Sequence, residues 1–257
     1  MTNQLSKKHY LSKSKVTTYE KCPLSYKFGY IDKVGGGNIY TQIGSDVHDF
    51  IELLFEVIEP QSDGSFLNVS KLPIAPNEDY KRNVILFEHE RWKRILDKGL
   101  DDSYFFPVYC ENKYYIDDNE IVGIVDRVHK CHKDDMFAPK HPEFKDGAYV
   151  IVENKTGKFS KQKASDYEEE LLWYRYILRE TQKIDMRWGC IYFPLTNKCH
   201  YIDLNEPKFS IDKLKEKITL VRGLINDSVF IPKPEPDKCF WCFYNDICIF
   251  KAEKDNK

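Results

Sequence analysis

The hydrophobic period switches back and forth four times along the chain, and that alternation limits the fold more than any other feature. Val47, Ile51, Leu54, Phe55 and Ile58 recur at three- and four-residue spacing, which predicts a helix over residues 43–58 with one buried stripe. Residues 104–115, 120–130 and 148–155 are instead rich in aromatic and β-branched side chains and read as strands. Helical spacing returns at 164–180. Strands at 187–193 and 198–204 then flank Pro194-Leu195-Thr196-Asn197 as a hairpin, and 211–226 reads as a last helix. Two further helices are expected, at 15–31 and 77–98. The first is capped by Ser14 and broken or kinked at Pro23. Gly35-Gly36-Gly37 reads as a flexible turn, and 60–77 and 133–147 read as loops. Strands flanked by helices, with no long interior linker, predict one α/β domain over 1–257.

A chain of 257 residues is long enough to build a core without staples. With 42% hydrophobic and 31% charged residues it is not a largely disordered chain. No apolar run approaches the roughly 18 residues that would span a bilayer, and Met1 to Lys15 lack the apolar stretch of a secretory signal. A soluble, cytoplasmic protein is expected. Net charge is −2 (39 basic against 41 acidic residues), so the molecule as a whole has no pull on nucleic acid. Locally the balance differs. Residues 1–33 hold seven lysines against Glu20 and Asp32, and 154–165 hold Lys155, Lys158, Lys161 and Lys163 with no acid. Such patches meet phosphate or are solvated faces; charge alone does not choose.

The strongest chemical signal is Ile151-Val152-Glu153-Asn154-Lys155-Thr156-Gly157. Side chains alternate along a strand, so Glu153 and Lys155 share a face while Val150 and Val152 pack on the other. A carboxylate to hold a hard cation, beside an ammonium to orient water or steady negative charge, suits metal-assisted hydrolysis. Asp126 is the only acid in the apolar run Gly123–Val128, where an unpaired carboxylate is costly. His48 lies on the 43–58 helix with Glu52 one turn on, Gly44 before it permitting close backbone approach. An imidazole can complete a metal site, and mixed with carboxylates it shifts preference from Mg2+ toward Mn2+; an ordinary helix histidine is the plain alternative. Of eight cysteines, Cys239, Cys242 and Cys248 form a C-x2-C-x5-C run, and Cys22 stands far upstream before Pro23. Cys110, Cys190 and Cys199 read as buried small hydrophobes, and His129-x-Cys131-His132 is set aside as a metal site because it runs into a loop.

These pieces occur in a recognisable order: Ser12 to Pro23 with its terminal C-P, G-x-x-x-H-x-x-x-E at Gly44–Glu52, G-x-x-D at Gly123–Asp126, E-x-K-T-G at Glu153–Gly157, Glu170 to Tyr174, then the cysteine tail. The set resembles the PD-(D/E)XK nuclease superfamily over residues 12–248, and within it the RecB-like branch with an iron–sulfur cluster, closest to CRISPR-associated adaptation nucleases and their free-standing or viral relatives. The resemblance implies a restriction-endonuclease-like α/β core, a mixed sheet flanked by helices. A [4Fe–4S] cluster on Cys22, Cys239, Cys242 and Cys248 would join segments 12–31 and 232–250; a four-cysteine zinc site uses the same ligands. It implies Mn2+ or Mg2+ on His48, Asp126, Glu153 and the Asn154 carbonyl, Lys155 as the catalytic lysine that positions or deprotonates water, and Tyr174 at the DNA; Lys158 and Lys161, just past the active strand, are expected along the DNA backbone from their charge. Glu170 stands where the family has Gln. The implied activity is a single-strand DNA exonuclease in CRISPR spacer acquisition, viral or repair processing, with a CRISPR adaptation integrase or a helicase as partner, since no P-loop is present. The alternative is an iron–sulfur DNA-binding or assembly subunit with little activity. The full set of Asp126, Glu153 and Lys155 favours the enzyme.

Overall fold

A computed structural model of the chain describes residues 9–35, 39–118 and 120–253; Lys7, Lys8, Gly36 and Gly37 of the patch and turn above lie outside them. In chain order the elements are α1 (Lys13–Lys21), α2 (Pro23–Tyr26), a π-helical turn (Lys27–Ile31), α3 (Ile39–Val57), β1 (Glu59–Pro60), β2 (Phe66–Leu67), α4 (Glu78–Asp97), β3 (Tyr109–Ile116), β4 (Ile121–Cys131), β5 (Ala148–Asn154), α5 (Lys161–Gln182), β6 (Trp188–Phe193), β7 (Lys198–Asp203), α6 (Ile211–Asn226) and α7 (Pro236–Phe240). No helix among the described residues is long and apolar enough to cross a membrane. The described residues fall into two compact units. One is drawn from Ile39–Tyr115 and Gly123–Phe209, the other from Met1–Asn38, Ile116–Val122 and Ser210–Lys257.

The first unit is built on a five-stranded mixed sheet of order β3-β4-β5-β6-β7. β5 lies antiparallel to β4 and parallel to β6, and β7 returns antiparallel to β6. A parallel neighbour needs a crossover, and α5 supplies it. Strand alternation then sorts the core. Val150 and Val152 of β5, with Trp188, Cys190 and Tyr192 of β6, bury against Val47, Phe50, Ile51 and Leu54 of α3 and Val84 and Phe87 of α4. The opposite face of β6 meets α5, where Leu171 covers Gly189 and Tyr167 packs near Phe193. Gly123 and Asp126 of β4 are three residues apart, yet both look to α5, so strict alternation is broken between them. A Cβ on Gly123 would run into Ile177 Cδ1 and lie 3.2 Å from Trp173 Nε1. Gly44 is different from the expectation: nothing approaches the place of its missing Cβ within 4 Å.

In the second unit, Ser12 caps α1, accepting from Lys15 N at 3.3 Å, so the cap is Ser12 rather than Ser14. The expected 15–31 helix is interrupted. Proline drives the residue before it to extended backbone, and Cys22 sits at φ −160°, ψ 108° between α1 and α2. Leu11 bridges Ile121 in parallel, donating to Glu120 O at 2.8 Å and accepting from Val122 N at 2.9 Å. Arg222 of α6 donates to the Glu120 carboxylate at 2.7 Å, and the buried Tyr19 hydroxyl donates to Val229 O. The tail is less irregular than its composition suggests, since Pro236 starts the short α7.

Candidate metal centre

β5 presents Glu153, Asn154 and Lys155 in succession. Glu153 and Lys155 do share a face: the Lys155 ammonium contacts Glu153 Oε1 and lies 2.5 Å from Glu170 Oε2 on α5. It also sits 4.7 Å above the Tyr167 ring. Burial works against the charge on Lys155, but the two carboxylates outweigh it and hold the ammonium protonated far above neutral pH. Glu153 is 2% exposed. Burial first, and then the charge of Asp126, push its carboxyl above the usual range.

Asp126 on β4 is 4% exposed and is the hub of the site. Its Oδ2 accepts from Asn154 N at 2.9 Å and Asn154 Nδ2 at 3.3 Å, and lies 3.5 Å from His48 Nδ1 on α3. Its Oδ1 accepts from the Tyr174 hydroxyl at 3.2 Å. His48 does not pair with the exposed Glu52. Its Nδ1 is 2.9 Å from Glu111 Oε1 on β3. Burial lowers the basicity of His48, yet the charges of Asp126, Glu111 and Glu153 prevail and raise its pKa to about 9. Donor atoms of His48, Glu111 and Asp126 lie within 4.8 Å of one another. Glu111 adopts φ 50°, a left-handed backbone that costs a non-glycine residue of order 1–3 kcal/mol and breaks the regular course of β3.

Glu111 was not among the residues expected from the sequence, although it is the only acid in the aromatic run 104–115, the same signal that marks Asp126. Tyr174, expected at the DNA, is instead buried with its hydroxyl on Asp126. Lys158 and Lys161 are exposed, Lys161 opening α5 behind its Ser160 cap. Arg127, next to Asp126 in sequence, is fully buried and donates to Glu88 and Asn154.

Divalent-metal chemistry fits the donors present. Glu153 Oε1 faces Lys155, whereas Oε2 is buried and accepts no hydrogen bond among the described residues. The Tyr174 hydroxyl lies nearby, but its single proton is engaged by Asp126. An unpartnered buried carboxylate oxygen beside two more carboxylates suits a hard cation, and the imidazole admits Mn2+ as well as Mg2+. In the second unit, Cys22, Cys239, Cys242 and Cys248 all line one cavity, together with Phe28 and Tyr244. Thiolates are the donors a soft-metal group takes, but among the described residues the donor atoms found within 4.8 Å of one another are those of His48, Glu111 and Asp126, not those of the cysteines.

The mixed sheet brings Glu111, Asp126, Glu153 and Lys155 together with His48 of α3, an arrangement that suits metal-assisted hydrolysis. Residues 10–249 match the PD-(D/E)XK nuclease superfamily, and the chain belongs to it. Members are typically metal-dependent nucleases acting on DNA. No curated protein matches the chain.

Proposed function

We propose that the chain is a RecB-like DNA nuclease that hydrolyses single-stranded DNA from an end, with a [4Fe–4S] cluster in its second unit. The observation that carries this reading is the buried, unpartnered Glu153 Oε2 beside Asp126, His48 and Lys155. His48, Asp126, Glu153 and the Asn154 carbonyl would hold Mn2+ or Mg2+, with Glu111 as a further donor. When bound, the ion supplies a Lewis-acid charge that polarises phosphate and lowers the pKa of water. Lys155 is held between the Glu153 and Glu170 carboxylates, which favour its charged form. It orients water and a phosphate oxygen and offsets the negative charge that builds in the transition state. Glu170 fixes the Lys155 ammonium from the other side. Tyr174 acts one step back, setting Asp126. Exposed Lys158 and Lys161 track the DNA backbone, which makes binding sensitive to salt.

Cys22, Cys239, Cys242 and Cys248 would hold the cluster and fasten the two ends of the chain together within their unit. The single-strand preference, the RecB-like branch and the cluster rest on the resemblance of the ordered motifs. The sequence has no P-loop, so where unwinding is needed a helicase partner supplies it; a CRISPR adaptation integrase is the partner if the product is a spacer.

The test is Mn2+-dependent degradation of end-labelled single-stranded DNA by anaerobically purified protein, with Lys155→Ala alongside. Wild type is expected to release label and Lys155→Ala to lose at least 100-fold in rate while still binding DNA. Cleavage retained by Lys155→Ala would remove the lysine from the mechanism. Binding without cleavage by either protein would make the chain a DNA-binding or assembly subunit.

A further inference from the structure

We propose that Arg127 is a positioning residue for the metal centre, acting through the side chain of Asn154; the inference rests on the metal-dependent reading above. Arg127 follows Asp126 on β4 but points to the other side of the sheet, where it is fully buried. Its guanidinium carbon lies 5.0 Å from the Phe137 ring and 5.8 Å from that of Phe55. Two of its arms are assigned. Nη1 donates to Glu88 Oε1 at 2.7 Å and Nη2 donates to Asn154 Oδ1 at 2.7 Å. The far end of that amide, Asn154 Nδ2, donates to Asp126 Oδ2 at 3.3 Å.

The Asn154 amide therefore has a guanidinium on one side and a carboxylate on the other. Only one orientation satisfies both: oxygen to the cation, nitrogen to the anion. Flipped by 180°, the NH2 would face the guanidinium and the oxygen would face the carboxylate, and both contacts would repel. Arg127 thus selects the rotamer that presents a donor to Asp126. The Asn154 backbone N–H adds a second donor to the same oxygen, and Tyr174 engages the other oxygen, so the plane of the Asp126 carboxylate is set.

Stability alone does not explain this arrangement. Arg127 and Arg91 are matched by Glu88 and Asp135, two buried cations against two buried anions. Well-packed apolar side chains of similar volume commonly hold a core as well as a buried ion pair does. What apolar side chains cannot supply is direction. Outer partners that orient a ligating carboxylate typically govern metal affinity by 10- to 100-fold.

The experiment measures Mn2+ affinity of metal-free protein by calorimetry, with circular dichroism and thermal melts to establish folding. Arg127→Met is combined with Glu88→Gln, so that no buried charge is left alone. Asn154→Leu removes the amide but keeps the backbone carbonyl. Each is expected to weaken Mn2+ binding by 10-fold or more, and the triple variant is expected to be no weaker than Asn154→Leu alone, because the same path is already cut. Arg127→Lys keeps a cation beside Glu88 and carries the same cycle if the Arg127–Glu88 pair variant does not fold. Folded variants with wild-type affinity, or losses that add in full, would overturn the positioning role while leaving the metal centre intact. Wild type that binds no Mn2+, or whose binding ignores Asp126→Ala, would overturn the metal centre and this inference with it.

Discussion

At pH 7 the metal-free protein carries a proton on His48, because Asp126, Glu111 and Glu153 surround the imidazole with negative charge and raise its pKa to about 9 despite burial. A metal ligand must be the neutral imidazole, so the ion competes with that proton. Apparent Mn2+ affinity is expected to climb by about tenfold per pH unit between 7 and 9 and to flatten above, as one-proton competition requires. His48→Asn removes the slope; a wild-type affinity flat across this window would take His48 out of the ligand set. For folding without metal the sign is reversed. The raised pKa of His48 stabilises the apo protein fully below its unfolded pKa near 6.5, and that contribution is lost as pH rises through about 9. Addition of Mn2+ should recover stability most strongly at the alkaline end, read as a thermal shift.

At the scale of elements, β5 was the most legible part of the chain. Its period of two places Val150 and Val152 in the core and Glu153 with Lys155 on the other face, and the register with β4 and β6 agrees. Asp126 stood out as a lone acid in an apolar strand. Glu111 carried the same mark; it meets His48 from a residue whose backbone turns to φ 50°, which a strand pattern does not express. The partners of Arg127 come from α4 and β5, distant in sequence, and no local pattern marks them. The end of α1 shows the limit of local signals: Pro23 announced a break, but the π turn that follows has no composition cue. Gly123 gives a prediction at this scale. Its place under Ile177 and Trp173 of α5 has no room for a side chain, so Gly123→Val is expected to destabilise by about 1–3 kcal/mol in urea unfolding. An unchanged midpoint would mean that α5 shifts freely over β4.

For the whole molecule, the informative cysteines are those brought together from the two ends of the chain. Cys22 and the tail triplet line one cavity within one unit, although 217 positions (239 − 22) separate Cys22 from Cys239. Removing one thiolate from a shared site should abolish it: Cys242→Ala is expected to lose the brown absorbance of the anaerobic protein and several degrees of melting temperature. A colourless, equally stable wild type containing zinc would replace iron with a structural zinc site. The spacing of the thiols was legible in the sequence; that all four residues line one cavity required the fold.

The parallel pairing of β5 with β6 also bears on how the protein comes into being. The edge of β5 that carries Glu153 can pair with Ile191 only after α5 has been made and folded back. A nascent chain emerging from the ribosome thus holds its acid and lysine on a half-paired strand until Phe193 has appeared. β5 therefore gains its second neighbour only after α5 and β6 have been made.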